Sequence, residues 1–233
     1  YSLPSMSDTA TQPSCVGFIM DGNRRWALEQ QAETIFGHEA GEEKFYEVAQ
    51  WIKDAHIPHA VFYAFSSENW KRGTLEVAYL QELFLRFTIR MLAEVHTWQV
   101  HVRVFGDLTD FSPELKEAIG NLMAESAIYE TTTIWVALSY GGRAEIIAAV
   151  NKAIAVGQLV DETTFVGHLA TAGMPDPDLI IRTGGDMRLS NFLPWQAVYS
   201  ELMFTPTYWP AFTKDEFMSM LTQYGDRKRR FGR

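Results

Sequence analysis

Six consecutive residues, Asp21-Gly22-Asn23-Arg24-Arg25-Trp26, bring one carboxylate, one amide and two guanidinium groups to the end of an apolar run, Val16–Met20, that reads as a β-strand. Guanidinium forks pair bidentately with phosphate oxygens, helix N-termini offer free N–H groups to anions, and a carboxylate beside phosphates is what a bridging Mg²⁺ ion needs. The chemistry these residue types support is the holding of a diphosphate together with a metal ion. On this loop alone, the alternative that Asp21 caps a helix while the arginines are solvated stands equally. Two further loops have the same character. Ser66-Ser67-Glu68-Asn69-Trp70-Lys71-Arg72 follows the run Ala60–Phe65, and Thr183-Gly184-Gly185-Asp186-Met187-Arg188-Leu189-Ser190 follows Leu179–Arg182, whose last residue is itself a cation. A Gly-Gly turn flanked by Arg182, Arg188 and Ser190 can hold a second phosphate group without a P-loop lysine. Three such loops, each after a strand, are hard to explain as chance in a chain of net charge −9.

Residues at strand ends need a sheet to converge. β-rich runs at Val16–Met20, Ala60–Phe65, His101–Gly106, Thr132–Ser139, Leu179–Arg182 and about Val198–Thr205 alternate with helical patterns. That alternation predicts an α/β fold, a single domain with a mostly parallel central sheet of about six strands flanked by helices. In such sheets ligands bind outside the carboxyl ends of the strands. Phe45, Val48, Ala49 and Ile52 share one helical face, and Leu80, Phe84, Phe87 and Met91 form a stripe on a helix of about Leu75–Val95; core packing is the ordinary role of both. Further helices are expected over Arg143–Ala155 and from Thr213, where Thr-Lys-Asp-Glu offers a capping box. The small, polar, proline-punctuated residues 1–14 read as a disordered leader, and 15–233 as one domain without a linker.

Composition removes several classes. The chain has 233 residues with 20 Lys+Arg against 29 Asp+Glu, and five of the basic residues lie within Arg227–Arg233, so the preceding body is more acidic still. A duplex-DNA binder needs a large basic face, so no nucleic-acid partner is expected. One cysteine, Cys15, forms no internal disulfide, and no apolar run approaches membrane-spanning length, which together predict a cytoplasmic protein. GxGxxG, GxxxxGK[ST] and GxSxG are absent, and six scattered histidines with one cysteine show no zinc spacing.

Taken in order, Asp21–Ala27 (DGNRRWA), Gly37-His38, Phe65–Trp70 (FSSENW), Ser139–Arg143 (SYGGR), Ile181–Asp186 (IRTGGD) with Arg188 and Ser190, Trp195-Gln196 and Glu201 resemble the motif set of the cis-prenyltransferases, the undecaprenyl diphosphate synthase family, over about residues 16–233. The resemblance implies condensation of isopentenyl diphosphate onto an allylic diphosphate such as farnesyl diphosphate, with Mg²⁺. It implies that Asp21, Gly22, Asn23, Arg24, Arg25, Trp26 and His38 hold the allylic diphosphate with Arg72 nearby, and that Arg182, Arg188 and Ser190 hold the isopentenyl diphosphate. By the same resemblance Glu201 joins Asp21 around the metal, and Asn69 and Ser66 assist proton removal. Arg230-Phe231-Gly232 is similar to the family's C-terminal element that reaches across a homodimer. The growing chain needs shelter from water, which gives the two apolar stripes a second possible role as tunnel walls, and the lipid product gives the protein a route to peripheral membrane contact.

Three positions depart from the family pattern. Thr34 stands where many members carry an arginine, Gln31 where glycine is usual, and Met187 where histidine is frequent. Loss of one charge-assisted contact costs about 1.5–3 kcal/mol of binding unless it is replaced. Two rival functions remain: a non-catalytic partner subunit of the same fold, against which the retention of Asp21, Arg182, Arg188 and Glu201 argues, and a phosphatase or related hydrolase using the same loops.

Overall fold

The computed structural model describes residues 12–227. In chain order the elements are β1 (Cys15–Ile19), α1 (Asn23–Glu29), α2 (Thr34–Asp54), β2 (His59–Ser66), α3 (Thr74–Trp98), β3 (His101–Phe105), α4 (Pro113–Ser126), β4 (Thr133–Tyr140), α5 (Gly142–Ala155), α6 (Glu162–Val166), β5 (Leu179–Arg182), β6 (Glu201–Phe204) and α7 (Lys214–Asp226). One six-stranded sheet has the order β3-β4-β2-β1-β5-β6, and every pairing is parallel. β1 and β4 are buried along their whole length, as expected of strands covered by helices on both faces. The alternation legible in the sequence has this cause: uninterrupted apolar runs are strands, and periodic ones are helices. The last strand starts later than its apolar run, because Val198 and Tyr199 are exposed residues of the preceding turn.

From β1 the chain steps to β2, goes out to the edge strand β3, comes back to β4 between them, and then lays β5 on the other side of β1. The order therefore reverses between β1 and β5, and the crevice at their carboxyl ends is where a parallel sheet offers a binding site. On one face the core stacks Phe18 on Phe62 at 4.9 Å and closes over them with Trp209 and Phe217. α7 begins as predicted: the Thr213 hydroxyl accepts from the Glu216 N–H, and Glu216 answers to the Thr213 backbone. Residues 12–14, read as part of a leader, are tied to the body, since the Ser14 N–H and hydroxyl both donate to Asp178 at 2.7 Å. The rest of that expected leader, 1–11, and the tail 228–233 lie outside the described residues.

α1 and α2 approach closely because α2 has glycines where they touch. A Cβ on Gly37 would lie 2.1 Å from the Asn23 carbonyl oxygen, and one on Gly41 would lie 2.7 Å from the Asn23 side-chain oxygen. The first obstacle is backbone and cannot rotate away, so Gly37→Ala is expected to push α1 outward at a cost of about 2–3 kcal/mol. Chemical denaturation measures this, and a midpoint within error of wild type refutes the stated helix contact.

Candidate active site

Asp21 lies two residues past the end of β1, and two arginines converge on its carboxylate. Arg182, at the end of β5 and nearly sealed from solvent, donates from Nη2 to Oδ2 at 2.8 Å, while Arg25 donates from Nη2 to Oδ1 at 3.1 Å. Arg182 uses its other terminal nitrogen on the Ser190 hydroxyl at 2.7 Å and on the Arg188 carbonyl. Arg25 reaches the Gly184 carbonyl at 2.8 Å. The Thr183 hydroxyl accepts from the Asp21 N–H at 3.0 Å and donates to the Asp21 carbonyl at 2.8 Å, joining the β1 and β5 loops directly. Gly184 and Gly185 have φ of +86° and +83°, a region that side chains with a Cβ rarely enter. The Arg188 guanidinium pairs with Asp186 at 2.8 Å and holds that carboxyl below its ordinary pKa.

Successive residues on a helix diverge by about 100°, so Arg24 leaves α1 on another side from Arg25. It joins a second cluster with His38 of α2 and Arg72. The Glu76 Oε1 of α3 sits among them, 3.1 Å from Arg72, 3.6 Å from His38 Nε2 and 3.8 Å from Arg24. Burial, then the Arg72 charge, depresses the His38 pKa, and burial also lowers that of Arg72. The anion-competent residues thus form two groups on either side of Asp21, one around Arg182 and one around Arg72. Beyond the second group an apolar cleft of about 170 Å³ runs inward between α2, α3 and the sheet. Its lining includes Asn69, Phe45, Leu80, Phe84 and Phe87. Of the two stripes, Leu80, Phe84, Phe87 and Phe45 therefore face the cleft, whereas Met91 and Ile52 are core.

The structure brings Asp21, Gly22, Asn23, Arg24, Arg25, His38 and Arg72 to one mouth, with Arg182, Arg188 and Ser190 beside it. Trp26 is half-buried on α1 and lines neither cleft. Ser66 ends β2, and its N–H donates to the Asn69 side-chain oxygen at 3.1 Å, fixing the amide in the turn. Glu201 requires a correction. It starts β6 opposite Leu179, at the amino end of a parallel strand, so it lies at the other end of the sheet from Asp21 and Arg182; its carboxylate pairs with Arg227. Strand register, which the motif order does not encode, prevents these two carboxylates of one chain from sharing a metal. Thr34 opens α2 one turn before His38, and Met187 is exposed. Arg230 and Gly232 lie outside the described residues. Sequence reading missed Glu76, which sits in the first turn of α3 and meets Arg72 from the segment just before that helix.

A wholly parallel sheet whose guanidinium-bearing loops meet at the reversal of strand order, above an apolar cleft, defines an α/β protein with an anion-competent mouth. Comparison with known proteins makes the assignment specific. A prenyltransferase family model described as "Putative undecaprenyl diphosphate synthase" matches residues 19–232. The isoprenyl transferase of Agrobacterium fabrum is 41% identical, the match covering 94% of this chain and 92% of that protein; the isoprenyl transferase of Wolinella succinogenes is 42% identical, covering 93% and 95%. Among solved structures, lavandulyl diphosphate synthase from Lavandula x intermedia, in complex with dimethylallyl diphosphate, superposes with a TM-score of 0.90 at 30% identity over 95% of this chain and 99% of that one. A probable undecaprenyl diphosphate synthase from Campylobacter jejuni gives 0.82 at 29% identity over 96% and 100%. The chain belongs to the undecaprenyl diphosphate synthase family of prenyltransferases, and it is a transferase.

Proposed function

We propose that this enzyme is a Mg²⁺-dependent cis-prenyltransferase that condenses isopentenyl diphosphate with an allylic diphosphate to give a cis-polyprenyl diphosphate. The carrying observation is the pair of guanidinium clusters flanking Asp21 at the mouth of an apolar cleft. Arg24, His38 and Arg72, with the Gly22 and Asn23 backbone, hold the allylic diphosphate, whose tail enters the cleft. Arg182, Arg188 and Ser190 hold the isopentenyl diphosphate, with the family's Arg230 and Gly232 element supplied across a homodimer. Buried atoms support a missing anionic or metal partner at this place: among the described residues Asn23 Oδ1, His38 Nε2 and Arg182 Nε have no hydrogen-bond partner.

No group of three or more Asp, Glu, His or Cys residues among those described could hold a metal alone. That fits Mg²⁺, which is commonly bound through one or two carboxylates plus substrate phosphates, with Asp21 as the protein ligand. When bound, the ion neutralises charge developing on the departing diphosphate. The allylic C–O bond breaks toward that diphosphate, the isopentenyl double bond attacks the electron-poor carbon, and a proton leaves to restore a double bond. Arginines placed before the reaction stabilise the leaving charge without reorganising, and two anchored head groups bring the carbons together. Asn69 lines the cleft with its amide held by the Ser66 N–H, and in this reading Asn69 and Ser66 assist removal of the proton. No helix among the described residues is long and apolar enough to cross a membrane, and the lipid product supplies a route to peripheral membrane contact in a cytoplasmic enzyme.

Incubation with Mg²⁺, labelled isopentenyl diphosphate and a panel of allylic diphosphates tests the assignment. Elongated product supports it. No turnover favours a partner subunit, and phosphate release without elongation favours a hydrolase. Phe84 and Phe87 close the cleft, with Phe87 edge-on to Phe45 at 4.9 Å and Phe84 edge-on to Phe65 at 5.7 Å. Phe84→Ala or Phe87→Ala is expected to lengthen the product while costing about 3 kcal/mol of stability. Chromatography of the labelled products decides the first part, and an unchanged distribution in both variants retires these rings as the stop.

A further inference from the structure

Among the described residues one carboxyl-bearing side chain lines the apolar cleft, and it belongs to neither phosphate cluster. Glu42 stands on α2 one turn beyond His38, about 6 Å further along the helix axis, on the cleft-facing side. Helical spacing calls for an apolar residue there, since Phe45, Tyr46 and Ala49, at three, four and seven residues on, are all buried. The Glu42 side chain is only 15% exposed, and burial raises its pKa. Its nearest cation, Arg90, stands 4.0 Å away, beyond hydrogen-bond distance. Arg90 is itself engaged by Glu43 and Glu94 and lies over the Tyr46 ring at 4.1 Å from its centroid. Glu42 is thus a carboxyl without a hydrogen-bonded cation in a lining that includes the apolar side chains Phe45, Leu80, Leu83, Phe84 and Phe87.

This placement bears on the tail. With its diphosphate at His38 and Arg72, a dimethylallyl group ends near the mouth, whereas a farnesyl chain has to run past Glu42. Hydrocarbon laid on a carboxylate strips water from it and offers no hydrogen bond in return. We propose, resting on the function assigned above, that Glu42 is a specificity-determining residue that biases the cleft toward short allylic diphosphates and short products. A neutral side chain of similar reach removes the bias while leaving the phosphate clusters intact.

The test compares wild type with Glu42→Leu and with Glu42→Gln, which keeps shape and removes charge. Calorimetry with dimethylallyl and farnesyl thiolodiphosphates, whose poor leaving group prevents turnover, reads binding without chemistry. Farnesyl binding is expected to tighten by about tenfold in Glu42→Leu and by less in Glu42→Gln, with dimethylallyl binding unchanged; products from labelled isopentenyl diphosphate should lengthen in parallel. An unchanged ratio of the two affinities in both variants, with wild-type melting temperatures, overturns the proposal while leaving the assigned function standing. Failure of wild type to bind either compound overturns that function and this proposal with it.

Discussion

Asp21→Ala is expected to reduce condensation by at least about a thousandfold, the scale seen when a preorganised charge-stabilising group is removed from a transition state. The variant deletes the proposed Mg²⁺ ligand and a carboxylate to which both Arg25 and Arg182 donate hydrogen bonds. It also disturbs the fold. A loop carboxylate judged from sequence should cost little on removal, but here Arg182 is almost wholly buried and loses the acceptor of Nη2. Leaving that donor unmet costs about 1–3 kcal/mol, so a melting temperature lowered by several degrees should accompany the loss of turnover. Asp21→Asn keeps an acceptor and should recover most of the stability without the activity. Near-normal turnover of either variant at saturating Mg²⁺ removes Asp21 from the metal role.

Arg182→Lys should be the next most damaging change. One planar group connects three things: the Asp21 carboxylate, the Ser190 hydroxyl and the Arg188 carbonyl. An ammonium is a compact charge that cannot span the same fork. Breaking a buried pair costs roughly 3–5 kcal/mol when one partner is lost outright, and retention of charge should hold the cost to the lower end. Because Ser190 and Arg188 are positioned through this group, the apparent KM for isopentenyl diphosphate should rise by more than that for the allylic substrate. Steady-state kinetics with each substrate varied in turn measures the difference. Equal rises in the two values contradict the assignment of Arg182 to the isopentenyl side.

Much of the fold and site is legible in the sequence, for reasons that differ by residue. The strands were legible because parallel strands buried on both faces leave unbroken apolar runs, as in Thr133–Tyr140. The Thr213 cap was legible because its bonds are local. Residues immediately after strands could be placed at one sheet edge, since all strands of a parallel sheet end on the same side. Glu201 was misplaced for the complementary reason. Its metal role came from the order of motifs alone, which carries no register, and strand register puts it at the amino end of β6. The separation of Arg24 from Arg25 follows from helix geometry and needed only the start of α1, whereas Glu76 and Glu42 depend on how α2 and α3 face each other across the cleft. That packing is tertiary and leaves no local trace.

The Thr183 hydroxyl, bonded both to the N–H and to the carbonyl of Asp21, links the loop after β5 to the loop after β1. Two segments far apart in the chain consequently behave as a single part, and an insertion or deletion in either one shifts both phosphate clusters together. Tolerance to change is divided accordingly. Innovation in what the enzyme accepts has to enter through the helical walls of the cleft, where a side chain can be exchanged without moving the loops, so the head-group machinery can stay constant while descendants diverge in the tails they handle.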